Sequence, residues 1–311
     1  MEQVSLKFKA VKYVYLTLVC LVLIIAIFTA SDQISELRIN SVCIGSLSVA
    51  ILLAFLNIIF SIKRFQSLLP KRIAFVDAAR PHLVGFLANY GAMVPGLGSG
   101  VKFGLLKAQN TSTKNAAKVL GFELVLDLTL CTLISLVLGP ILFSEYFRSL
   151  TQQLLHFDNS IFLVVVLVAS LTLIFGFKSR FRSNLGTSIR SIFYKEGFMF
   201  SVLFTLLMWM CFAGTLEFLL KSFHEVDKST YSASMLSVSS SYLAGLLSLI
   251  PSGFGVRELS GAYIISNNIN NYTVGDAVVV MVVLRVLTVI AGAVALAIIS
   301  TVSVNTIQNK A

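Results

Sequence analysis

Apolar residues gather along this chain into continuous blocks of roughly 20, the length a helix needs to cross a hydrocarbon layer about 30 Å thick. The blocks cover residues 13–30, 42–62, 116–143, 161–177, 198–220 and 277–302, and they predict six full spans. Two further segments, 73–100 and 233–261, are apolar but broken by proline and glycine clusters. The first block follows Lys7, Lys9 and Lys12. It is longer than the roughly 7 to 15 residues of a signal-peptide core, so an uncleaved first helix is expected.

The placement of lysine and arginine decides how the two broken segments run. If both crossed the membrane fully, the basic stretches 63–72, 102–118 and 178–195 would not share a side. If each dips in and returns as a re-entrant hairpin, seventeen of the 24 Lys and Arg face the cytoplasm. Lys63, Arg64, Lys102 and Lys107 are among these, whereas Arg38, Arg148, Lys221 and Lys228 face outward and Arg80, Arg257 and Arg285 stay within membrane segments. That asymmetry is the positive-inside pattern. It predicts cytoplasmic N- and C-termini, with the first hairpin entering from the cytoplasm and the second from outside.

A repeat supports the same topology. Leu87-Ala88, Pro95-Gly96 and Gly100-Val101-Lys102 are echoed by Leu243-Ala244, Pro251-Ser252 and Gly255-Val256-Arg257. Each set precedes an apolar helix, in which Leu124 and Asp127 match Arg285 and Thr288. The expected fold is an all-α polytopic membrane protein, about six spans plus two opposed hairpins, forming a single transmembrane domain over 1–311. The inverted repeats would cover 73–143 and 233–302. Paired proline- and glycine-interrupted segments in corresponding halves point to a transport site, because broken helices leave backbone groups free to meet a ligand.

Composition narrows the class. Only 12% of residues are charged, against about 25% in soluble domains, and 57% are hydrophobic with mean hydropathy +0.89. A soluble enzyme is excluded. The net charge of +10 marks cytoplasmic loops here and is not taken as a sign of nucleic acid binding. Cys20, Cys43, Cys131 and Cys211 lie far apart, and His82, His156 and His224 match no zinc spacing, so neither disulfides nor metal nor cofactor is expected. No phosphate-binding loop is present, which leaves transport passive, gradient-driven or coupled through a partner.

Ionisable residues within apolar segments carry the chemistry. Arg80, Glu123, Asp127, Arg257, Glu258 and Arg285 sit in or beside such segments. A charge at the bilayer centre costs roughly 2.5 to 3.5 kcal/mol on insertion scales, so these groups are expected to face inward and pair. Glu123 and Asp127, spaced i, i+4, share a helix face. Arg257 lies in a glycine-rich break, and Arg285 is the lone charge of a long apolar block. An arginine fork there suits a phosphate, and lipid phosphate is the membrane-borne choice. Pro251, Gly253 and Gly255 would let backbone N–H groups approach the same anion. Glu123, Asp127 and Glu258 would balance Arg257, Arg285 and Arg80 when lipid is absent, and could bind a cationic headgroup or a proton.

The run Pro251-Ser252-Gly253-Phe254-Gly255-Val256-Arg257-Glu258 resembles the P-G-G-x-G-x-R-E signature of the transmembrane region of lysylphosphatidylglycerol synthetases and its stand-alone, flippase-like relatives. Asn89, Pro95-Gly96, Lys102 and Glu123-Leu124-Val125-Leu126-Asp127 are similar to that family's first-half pattern, with Leu124 where the family carries arginine and Ser252 where it carries glycine. Arg285 resembles the arginine of the family's last helix. The resemblance implies a lipid translocase in the cell membrane, handling phospholipid or polyprenyl-phosphate lipid. Substrate contacts would come from Arg257, Arg285, Glu258, Arg80, Glu123, Asp127, Pro251, Gly253, Gly255, Asn89, Pro95, Gly96 and Lys102. Aminoacylation is not expected of these 311 residues. A separately encoded lipid-modifying enzyme and a second copy of the chain are the candidate protein partners. The competing expectations are a membrane enzyme acting on polyprenyl-phosphate, with Glu123 or Asp127 as base or metal ligand, and a secondary transporter of a small anion.

Overall fold

The computed structural model describes residues 43–69, 73–91, 96–143, 196–224, 230–248 and 251–308; the expected spans at 13–30 and 161–177 lie outside them. Among the described residues the regular elements are helical: α1 (Ile44–Leu68), α2 (Phe75–Gly91), α3 (Leu97–Ala108), α4 (Thr113–Leu142), α5 (Glu196–Phe223), α6 (Tyr231–Leu247), a 3-10 turn (Pro251–Gly253), α7 (Val256–Asn268) and α8 (Val274–Gln308). Four of these, α1, α4, α5 and α8, contain stretches long and apolar enough to cross a membrane. They coincide with four of the six expected blocks. The α1 helix continues past residue 62 to Leu68, which matters for the site.

Local sequence explains several starts. The Ser112 hydroxyl accepts the Asn115 N–H at 3.4 Å, capping α4. At α8, Thr273 and Asp276 cap each other reciprocally, each backbone N–H donating to the other side chain at 3.2 Å. Within the helices, Thr205, Thr215 and Thr288 donate their hydroxyls to the carbonyl four residues back, which lets them sit in apolar surroundings.

Helices α1 and α5 lie antiparallel. The Cys43 N–H reaches Ser222 O at 3.2 Å, and the Asn57 amide donates to Met208 O at 2.8 Å. The Tyr272 hydroxyl donates to Leu220 O at 2.6 Å, so α8 begins where α5 ends. Further along α8, Ala291 and Ile299 pack with Ile58, Ile62 and Leu83.

The two broken segments form helix pairs that fold back on themselves. In the first, Gly85 faces Gly98 and Lys102, and the Gln109 amide donates to Asp77 O at 3.1 Å. A Cβ at Gly85 would stand 2.7 Å from Gly98 O, so only a small residue permits this approach. In the second, Gly245 faces Arg257, and the Ser237 hydroxyl donates to Gly261 O at 3.0 Å. The α2–α3 pair opens toward the α1 end marked by Leu68, since the Gln66 amide donates to Ile73 O at 2.8 Å. The α6–α7 pair opens toward the opposite end, where Ile269 and Tyr272 pack with Leu219 and Leu220. The turn of the second pair reaches the end of α2: the Ser252 hydroxyl donates to Asn89 O.

Ser252 holds φ +54°, a left-handed conformation that costs a non-glycine residue about 1 to 2 kcal/mol. A hydrogen bond contributes about 0.5 to 1.5 kcal/mol, so strain and bond nearly offset. Ser252→Gly is therefore expected to leave the melting temperature of the purified protein close to wild type. Ser252→Ala keeps the strain, loses the bond and should melt lower; equal melting of both variants would contradict this balance.

Candidate functional site

Where the two helix pairs meet the long helices, a cavity of roughly 240 Å³ opens. Seven charged side chains line it: Arg64, Lys102, Glu123, Asp127, Arg257, Glu258 and Arg285, with His82 beside them. They come from α1, α3, α4, α7 and α8, so no single helix builds the site.

The charges are arranged in two pairings and a remainder. Arg64, only 3% exposed, donates from Nη2 to Glu123 at 2.8 Å and from Nη1 to Asp127. Lys102 Nζ adds bonds to both oxygens of Glu123 at 3.0 and 2.9 Å, and Trp209 donates its indole N–H to Asp127 at 3.0 Å. His82 lies with Nδ1 3.6 Å from Glu123 and Nε2 2.7 Å from the Ser61 hydroxyl. The second pairing joins Arg285 to Glu258 at 2.5 Å. The other Glu258 oxygen accepts the Gly255 N–H at 2.7 Å, closing the N-terminus of α7.

Arg257 is the remainder. Among the described residues no carboxylate lies within 4.0 Å of it, and its buried Nε has no hydrogen-bond partner. Its guanidinium stacks over the Tyr242 ring, 5.1 Å from the centroid. Its stem passes between two glycines: a Cβ at Gly245 would sit 2.5 Å from Arg257 Cγ, and one at Gly253 would sit 2.8 Å from Nε. The glycines thus admit the arginine to the cavity wall. Arg285 is likewise flanked by rings, 5.0 Å from Phe254 and 5.5 Å from Tyr90. Among the described residues four cations face three carboxylates, so this part of the wall carries one surplus positive charge, and it falls on Arg257.

Gly245→Ala should expose this dependence. Alanine favours an exposed helix interior over glycine by about 1 kcal/mol, yet here its methyl would displace the Arg257 stem. The expected result is a retained helical fold with loss of whatever anion binding Arg257 supports, read as loss of thermal stabilisation by inorganic phosphate or a phospholipid. Unchanged stabilisation would contradict the clamp.

The cavity brings together seven of the thirteen residues expected from sequence: Arg257, Arg285, Glu258, Glu123, Asp127, Asn89 and Lys102. Several expectations are corrected. Arg80 lies on the face of α2 roughly opposite His82, Gly85 and Asn89 and does not line the cavity. Glu123 and Asp127 do not balance Arg257; they are neutralised by Arg64 and Lys102, two residues expected at the cytoplasmic face. Gly253, Gly255 and Gly96 shape the turns without lining the cavity, Pro251 opens the 3-10 turn, and the Gly255 N–H expected to meet an anion is held by Glu258. Gly96 takes φ +74° ahead of α3. Pro95 lies outside the described residues.

Arg64 and His82 are contributors that the apolar blocks concealed. A helical-face reading would have found both. Asn57, Ser61 and Arg64 recur at spacings of four and three on α1, and His82, Gly85 and Asn89 do the same on α2.

Comparison with curated proteins gives no match. The description "lysylphosphatidylglycerol synthase TM region" matches residues 12–295, well over half of the chain and all of the cavity. With four apolar helices of spanning length, this multi-pass membrane protein belongs to the family of the lysylphosphatidylglycerol synthase transmembrane region.

Proposed function

We propose that this protein is a lipid translocase that moves a phosphate-bearing headgroup across the cell membrane through the central cavity. The observation that carries the reading is Arg257, an arginine inside an apolar helix bundle with no carboxylate within 4.0 Å among the described residues. Arg257 is half-buried with its Nε fully enclosed; an unpaired charge in such apolar surroundings is costly, and it is retained where it meets a ligand. In this reading the α2–α3 and α6–α7 pairs are re-entrant hairpins from opposite sides of an inverted repeat, the chain spans the membrane six times, and both termini are cytoplasmic. Alternating access would come from the two hairpins parting at Ser252 and Asn89.

The phosphate would rest on Arg257 with Arg285 beside it, while Arg64, Lys102, Glu123 and Asp127 hold the opposite wall in shape. Leu124 lines the cavity and is also 46% exposed, so it marks an apolar rim past which lipid tails would stay in the bilayer. The chain makes and breaks no covalent bond in this reading.

A small-anion transporter is the second reading, because a cavity of roughly 240 Å³ also fits a free oxyanion. The two separate in sealed vesicles containing purified protein. Transbilayer movement of an acyl-labelled anionic phospholipid, without uptake of radiolabelled inorganic phosphate, is the expected outcome. Uptake of phosphate without lipid movement would replace the translocase by the anion transporter.

A further inference from the structure

The cavity wall also holds a buried imidazole. His82 is only 2% exposed, and the two nitrogens of its ring differ. Nε2 lies 2.7 Å from the Ser61 hydroxyl, whereas Nδ1 has no hydrogen-bond partner among the described residues and points at Glu123 from 3.6 Å, just beyond bonding distance. A buried polar atom left unmatched is costly unless some state of the protein uses it. A neutral imidazole carries one N–H and one bare nitrogen, while the protonated ring donates from both. Once protonated, His82 has an acceptor on each side: the Ser61 oxygen at Nε2 and the Glu123 carboxylate at Nδ1.

The surrounding charges set when that proton is needed. Among the described residues the charged groups acting on His82 are Lys102 from α3, Glu123 from α4 and Arg64 from α1. The Phe65 ring packs against it at 5.2 Å, α8 meets this stretch of α2 through Gly292 and Phe86, and Arg80 lies on the opposite face of α2. In the lipid-free cavity Arg64 and Lys102 already match Glu123. Of the two, Lys102 is held less firmly. Its side chain is 13% exposed against 4% for Arg64, and its ammonium ends a flexible stem, whereas Arg64 is anchored by Asp127 as well. A phosphate entering the cavity competes with Glu123 for this lysine. When Lys102 turns to the phosphate, Glu123 and Asp127 are left sharing one guanidinium, and a proton on His82 replaces the missing cation.

We propose, resting on the translocase reading, that lipid movement is coupled to proton movement through His82. Nδ1 takes a proton from water on the side where the phosphate enters. That proton returns to water on the other side as the phosphate leaves and Lys102 goes back to Glu123. One N–H bond forms and the same bond breaks, so lipid and proton travel in the same direction, one proton for each phosphate, whatever else the headgroup carries. A proton gradient then drives a chain that has no phosphate-binding loop to draw on nucleotide.

The test uses sealed vesicles with purified protein, acyl-labelled phosphatidylglycerol added to the outer leaflet, and an interior about one pH unit more alkaline than the outside. One-to-one coupling should carry the label to about a tenfold excess in the inner leaflet, beyond any drift in protein-free vesicles. With no gradient imposed, unlabelled phosphatidylglycerol added outside should acidify a pH dye trapped in wild-type vesicles. His82→Gln, reconstituted equally and melting as wild type does, should give neither the excess nor the acidification. An excess equal to that of wild type in His82→Gln would overturn the assignment to His82. Label that wild type moves inward only to an even distribution, or movement without acidification, would overturn the coupling and leave the translocase standing. Label that stays in the outer leaflet would overturn both.

Discussion

Arg64→Ala is expected to destabilise the protein more than any other single change at the cavity wall, by about 3 to 5 kcal/mol, the usual consequence of removing one partner from a buried ion pair. The Arg64 side chain is only 4% exposed and bridges Glu123 and Asp127. Its loss strands Asp127, whose remaining donor is the Trp209 indole, whereas Glu123 keeps Lys102. That asymmetry predicts a specific rescue. Arg64→Met restores packing volume without charge, and adding Asp127→Asn removes the stranded carboxylate while an amide oxygen still accepts the Trp209 N–H. The double variant should regain more than half of the lost melting temperature in detergent. Arg64→Ala melting within about 0.5 kcal/mol of wild type, the range of ordinary surface substitutions, would contradict the bridging role.

Arg257→Ala should do the opposite. It removes a guanidinium that has no carboxylate partner among the described residues and whose Nε is unsatisfied, so stability should hold or rise slightly. Lipid movement should be lost, because among the described residues no other cation lining the cavity lacks a counter-charge. Arg257→Lys should restore it only in part, since an ammonium keeps the charge but loses the planar fork and the stacking on Tyr242. Together with Arg64→Ala, this variant divides the cavity into a wall that holds the fold and an arginine that holds the ligand.

Much of this was legible in the sequence. The i, i+4 spacing of Glu123 and Asp127 placed both on one buried face, and both line the cavity. The proline and glycine breaks marked the two helix pairs that meet at the cavity. Arg257 and Arg285 stood out as charges in apolar surroundings, and both line the cavity. Arg64 was hidden because it directly follows Lys63 at the end of an apolar block, where basic residues normally mark a loop; one further turn of α1 carries it inward instead. Lys102 counted equally well as loop charge until the folding of α3 against α4 brought it to Glu123. Arg80 misled for the converse reason: an arginine in an apolar stretch signals function only if its helix face reaches the cavity, and residue 80 lies roughly opposite the α2 face that carries His82, Gly85 and Asn89. Gly245 carried no local signal, since its role depends on an arginine twelve residues later folding back across it.

The most direct test of the translocase reading is transbilayer movement of an acyl-labelled anionic phospholipid and of a labelled polyprenyl-phosphate in vesicles containing purified protein, with Arg257→Ala beside wild type. Movement of at least one lipid by wild type, reduced to the protein-free rate by Arg257→Ala at equal reconstitution, is the predicted result. Movement that persists unchanged in Arg257→Ala would contradict the central role of that arginine, and movement of neither lipid above protein-free vesicles would contradict lipid translocation itself.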